Sequence, residues 1–162
     1  MLKGIDPVLG PDLLTALYLM GHGDEIALVD AHFPAASTAA RTTVGRLVRA
    51  DAGGGPRLLR AVLGVLELDT FVETAAWRME VDGAPDELPP VQLEMRSALH
   101  QNAGPEHQLG SLARSDFYQR ARAVYAVVVT GETRPWGNVI LRKGVTPAPA
   151  GATESPRTIA DW

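Results

Sequence analysis

Three short apolar runs constrain this chain more than any other feature: Glu25-Ile26-Ala27-Leu28-Val29-Asp30, residues 124–130, and Val139-Ile140-Leu141-Arg142. Each has the length of a strand, and the first is apolar at consecutive positions, as a sheet buried on both faces requires. Such strands need helices to cover them, and the sequence supplies amphipathic segments. Leu13, Leu14, Leu17 and Met20 fall at helical spacing after Pro11, predicting a helix over 11–20 that Gly21 ends. Leu58, Leu59, Val62, Leu63 and Leu66 predict a second over 56–66, approached through Gly53-Gly54-Gly55. A third is expected over 90–101, and a fourth after Ser115, a good N-cap residue, running through Phe117 and Ala121. Trp77, Met79 and Val81 alternate with Arg78, Glu80 and Asp82, which predicts a strand with its apolar set in the core and its charged set in solvent. The Pro135-containing segment 131–138 has the length of an antiparallel hairpin loop or a short connection. Helices alternating with strands imply an α/β domain with helices packed over the sheet.

The 162 residues fit one domain, expected over 1–147. From Thr146 onward the composition turns to Pro, Ala, Gly, Ser and Thr, so 148–162 reads as a tail whose Trp162 could anchor on a neighbouring subunit. A net charge of −4 with no Lys/Arg block argues against a nucleic-acid surface and suits a neutral ligand. The chain has no cysteine, hence no disulfide or thiolate site, which suits the cytosol. Neither a signal-peptide pattern nor a run of about 18 apolar residues is present, so membrane spanning has no support and a cytoplasmic protein is expected.

Chemistry-bearing residues gather near Gly21-His22-Gly23-Asp24 and Asp30-Ala31-His32. Glycine on both sides leaves the imidazole uncrowded, and its ordinary pKa of roughly 6.5 suits proton transfer. The same residues are also compatible with a helix cap, a turn and a surface histidine between them. The glycine-rich segments lack both the Lys-Ser/Thr of a P-loop and the full dinucleotide fingerprint. His22, Asp24, Asp30 and His32 are metal-ligating types, but no HExxH or comparable set is present, and no metal is expected. No serine sits in a G-x-S-x-G elbow.

Met1-Leu2-Lys3-Gly4-Ile5, Gly21-His22-Gly23-Asp24-Glu25-Ile26 and Asp30-Ala31-His32-Phe33-Pro34 together resemble the opening of the L-fucose mutarotase and D-ribose pyranase (RbsD/FucU-like) family. Arg49-Ala50-Asp51, Glu67-Leu68-Asp69-Thr70, Phe117-Tyr118-Gln119-Arg120-Ala121, Thr130-Gly131-Glu132 and the block 137–145 resemble its fucose branch in the same order. The resemblance implies a three-layer fold with helices on both faces of a central sheet. It also implies a cofactor-independent isomerase that interconverts the α and β anomers of a monosaccharide such as L-fucose by acid/base ring opening. A ribose-type pyranase and a sugar-binding accessory protein without turnover are the alternatives. On the family pattern, His22, Asp69 and Tyr118 would carry acid/base work, with His22 as proton donor. Asp30 would hold the sugar or the imidazole, while Arg114, Trp136, Gly137 and Asn138 would line the binding site. The family usually has tyrosine where this chain has Trp136, whose indole donates a hydrogen bond but cannot accept or titrate.

A strand between His22 and Asp30 rises roughly 3.3 Å per residue and would hold them about 15–25 Å apart, too far for one small sugar to touch both. Either the chain around Gly23 and Asp24 folds back before a very short strand, or the site joins His22 of one subunit to residues of another. The expectation is the second, in a homo-oligomer that the resemblance implies to be ring-like, a decamer or a tetramer.

Overall fold

The computed structural model describes residues 2–147, so the expected tail 148–162, Trp162 included, lies outside the described residues. The elements run α1 (Pro11–Leu19), β1 (Glu25–Val29), α2 (Ala35–Ala39), β2 (Val48–Ala50), α3 (Gly55–Leu63), β3 (Ala76–Met79), α4 (Pro90–Ala103), β4 (Leu109–Leu112), α5 (Arg114–Ala121), β5 (Ala126–Thr130) and β6 (Val139–Arg142). All six strands form one sheet in the order β2-β5-β1-β6-β3-β4. β6 alone runs against its neighbours, pairing antiparallel with β1 and β3, while the other pairs are parallel.

Period-two alternation divides the sheet's side chains between two cores. Ile26, Leu28, Val128 and Leu141 pack with Leu13 and Leu17 of α1, Leu58 and Val62 of α3 and Met95 of α4. Ala27, Val29, Val127 and Ile140 face the other way, against Ala35 and Ala39 of α2 and Phe117 and Ala121 of α5. The result is three layers, as expected from strands apolar at every position. No helix among the described residues is long and apolar enough to cross a membrane.

Of the two readings open for 131–138, the segment is the short connection and not the hairpin, because β1 inserts between β5 and β6 and takes the hydrogen bonds of both. Two local expectations are corrected. Arg78 is not in solvent: α4 and the chain before it cover that face, and its guanidinium donates to Pro85 O at 2.6 Å and Gln92 Oε1 at 3.2 Å. Trp77 is only half-buried, with the Arg120 guanidinium 3.5 Å over its ring. Finally, α5 begins at Arg114 with Ala113 at its N-cap, so Ser115 lies inside the helix and caps nothing.

Candidate active site

The crossing of 131–138 over the end of β1 builds a cleft at the carboxyl ends of the parallel strands, where open α/β sheets place ligands. Asp30, the residue after β1, is 2% exposed. Its Oδ2 accepts from Asn138 Nδ2 at 2.8 Å and Gly137 N at 3.2 Å, and its Oδ1 accepts from His32 N at 3.0 Å. Asp30 N in turn donates to Asn138 Oδ1 at 3.0 Å. The Asn138 amide is thus engaged with Asp30 through both its atoms. Three donors occupy three of the carboxylate's roughly four acceptor positions, leaving about one for a ligand hydroxyl. Around it Met79, Arg114, Tyr118 and Trp136 bound a cleft of about 120 Å³. Tyr118 packs its ring against Phe33 with centroids 5.2 Å apart, and Arg114 reaches Asp82 Oδ2 at 3.0 Å on the rim.

The wall carrying Trp136 is held from several sides. Trp136 adopts φ +69°, in the left-handed region that a bulky residue enters only under constraint. Gln92 of α4, fully buried, supplies one: its Nε2 donates to Trp136 O at 2.9 Å and Met79 O at 2.7 Å. Further along, His32 Nε2 pairs with Thr133 O at 2.9 Å, and Glu132 Oε1 accepts from the backbone and side chain of Arg134. Gln92→Leu removes the donor that serves the Trp136 and Met79 carbonyls and one of the acceptors of the Arg78 guanidinium, so we expect a loss of about 2 kcal/mol in urea denaturation together with weaker ligand binding.

A second cluster lies at the opposite end of β1. Gly23, at φ +85°, turns the chain into the strand and lets Arg142 pass, since a Cβ there would stand 3.3 Å from Arg142 Nη2. Asp69, 1% exposed, lies between these groups. Its Oδ1 meets His22 Nε2 at 3.2 Å and accepts from Phe71 N at 3.0 Å, while its Oδ2 accepts from Arg142 Nε at 2.8 Å. The Phe71 N–H, then the Arg142 and His22 side chains, hold the Asp69 carboxyl below the usual carboxylate range against the opposing effect of burial. An ionised Asp69 fixes the imidazole with its proton on Nε2 and leaves Nδ1, bonded to no described residue, as an exchangeable acceptor. Arg142 is backed by Glu25, 4.0 Å away, which Arg120 grips with two hydrogen bonds.

The structure therefore brings Asp30, Tyr118, Arg114, Trp136, Gly137 and Asn138 together and sets His22 with Asp69 apart from them, across the length of β1, roughly 15–25 Å at strand rise. Of the two parts open to Asp30, holding the imidazole falls to Asp69 instead. Within one chain His22 and Asp30 cannot share a metal at that separation. Sequence reasoning missed Arg142, Phe71 and Gln92. A larger groove of about 660 Å³ lies along α1, but its lining is mostly apolar, and the Lys143 ammonium there is occupied by the carbonyls of Leu17 and Met20.

Residues 3–146 match the RbsD / FucU transport protein family. The chain is 48% identical to the human fucose mutarotase over 89% of its own length and 94% of that protein. It is 46% identical to an L-fucose mutarotase of Haemophilus influenzae over 91% of its length and 99% of that protein. The crystal structure of the Streptococcus pneumoniae fucose mutarotase in complex with L-fucose superposes with a TM-score of 0.81 at 38% identity, covering 90% of this chain and all of that one. With the whole folded region matched and the sheet shared, the chain belongs to the RbsD / FucU family.

Proposed function

We propose that this protein is a sugar mutarotase that interconverts the α and β anomers of L-fucose or a similar aldose, with its active site shared between subunits of a ring-like homo-oligomer. The observation that carries it is the His22–Asp69–Arg142 cluster, which orients the imidazole and presents one of its nitrogens for proton exchange. Relatives named fucose mutarotase at 46–48% identity support the substrate class.

Opening a pyranose requires a proton on the ring oxygen and removal of the proton from the anomeric hydroxyl. Rotation of the aldehyde and reclosure on its other face complete the exchange, and no redox group is called for. His22 Nδ1 serves the ring-oxygen transfer, taking the proton of the C5 hydroxyl on closure and returning it to the ring oxygen on opening. Asp69, with three donors on it, acts through the imidazole that it orients. In the other half-site Asp30 offers its remaining acceptor position to a sugar hydroxyl, with Gly137 and Asn138 fixing the carboxylate. Tyr118 and Arg114 supply further hydroxyl and guanidinium groups, and Trp136 an indole face suited to the apolar side of a sugar. The cleft's own imidazole, His32, is held through Nε2 by Thr133 O, and His22 of a second copy closing over the cleft supplies the imidazole for proton transfer. The domain comprises 1–147, and the cysteine-free composition suits a cytoplasmic enzyme.

Proton NMR of anomer exchange on L-fucose, D-ribose and a panel of other reducing sugars tests this reading. Acceleration on L-fucose or a related aldose is expected. A saturation-transfer signal from a bound sugar without faster exchange would instead support a binding protein.

A further inference from the structure

We propose, resting on that mutarotase reading, that Phe71 is a specificity-determining residue that takes the methyl group of a 6-deoxyhexose beside His22. Phe71 is 75% exposed, so its ring contributes little to the core. A single exposed aromatic is ordinary; one fixed in place beside a proton-transfer group is not. The Phe71 N–H and His22 Nε2 share the same oxygen of Asp69, so one buried carboxylate positions both residues. The two rings meet edge to face, with centroids 5.4 Å apart and planes at 81°, a geometry aromatic pairs favour. Whatever reaches His22 therefore also meets the phenyl ring.

The chemistry of ring opening states which part of the sugar that is. The ring oxygen of a hexopyranose is bonded to C5, and C5 also carries C6. An imidazole placed to exchange a proton with the ring oxygen has C6 as its close neighbour. In L-fucose C6 is a methyl group, and a phenyl ring removes it from water favourably. In L-galactose, the otherwise identical sugar, C6 bears a hydroxyl that a phenyl ring cannot hydrogen-bond. An apolar surface rejects an added hydroxyl only modestly, by about 100-fold at most, and a ring as exposed as Phe71 should give about 10-fold.

The test is kcat/KM for anomer exchange on L-fucose and L-galactose with the intact protein, Phe71→Ala and Phe71→Leu, folding being checked by circular dichroism. Wild type should favour L-fucose by about 10-fold. Phe71→Ala should bring the two sugars to near parity, mainly by raising KM for L-fucose, and Phe71→Leu should recover most of the preference. Wild type that does not discriminate, or Phe71→Ala that leaves the preference unchanged, overturns this inference alone. Equal loss on both sugars overturns it too, since the Phe71 ring would then act only by holding the His22 imidazole in place. Wild type that accelerates neither sugar overturns the mutarotase reading together with this one.

Discussion

His22→Ala is expected to slow anomer exchange by about 10²–10⁴-fold while shifting stability by no more than about 0.5 kcal/mol. The side chain is 44% exposed, and removing it leaves Asp69 still bonded to Arg142 and Phe71, so no buried charge is stranded. Asp69→Asn should also be slow, because the amide no longer fixes the proton on Nε2. Comparable rates for His22→Ala and wild type would remove His22 from the chemistry.

The same variant tests whether the site is shared. His22→Ala and Asp30→Asn should each be inactive alone. When their subunits are mixed and allowed to exchange, about one quarter of the sites in a random ring regain an intact His22 from one copy and an intact Asp30 from the next. A site within a single chain would regain none. Sedimentation showing an active monomer would equally defeat the shared site.

What the sequence disclosed, and what it hid, follows from length and from neighbours. The strands at 25–29, 126–130 and 139–142 were legible because buried strands are apolar at consecutive positions. The five-residue α2 and the three-residue β2 are too short to show a period, and β4, Leu109-Gly110-Ser111-Leu112, is an edge strand with no fully buried residue. Alternation marked Arg78 for solvent because it cannot foresee that the chain before α4 brings carbonyls over it. Strand order was equally hidden: with β1 between β5 and β6, a segment of hairpin length becomes the bridge that sets Asn138 on Asp30. The site residues Asp30, Tyr118, Trp136 and Asn138 were named from family-like blocks, and the fold makes them neighbours. Arg142 and Phe71 lie in or beside those blocks but gave no signal of their own, since their partners are far off in sequence or in the backbone. Gln92 looked like any polar helix position.

Glu132→Ala is expected to lower stability by about 3 kcal/mol and to weaken sugar binding, because Glu132 ties the bridge to the rest of the fold. It is 4% exposed; its Oε1 accepts from the Arg134 backbone and guanidinium, and its Oε2 from Arg134 Nη2 and, at 3.3 Å, from Gly55 N at the start of α3. This packing explains part of the Gly53-Gly54-Gly55 run: a Cβ on Gly54 would stand 2.7 Å from Glu132 Oε2, and one on Gly55 would strike Met95. Arg134 is the main influence holding the Glu132 carboxyl below its ordinary value, overcoming burial. A carboxyl lowered in the folded state stabilises fully above its unfolded pKa of about 4.3 and loses that contribution as pH falls through the folded value. The gap in urea stability between wild type and Glu132→Gln should therefore be widest near pH 7 and close as pH drops below about 4. A gap that stays constant across that range would mean that Glu132 holds the bridge by shape alone, and its charge would have no part in positioning Trp136, Gly137 and Asn138.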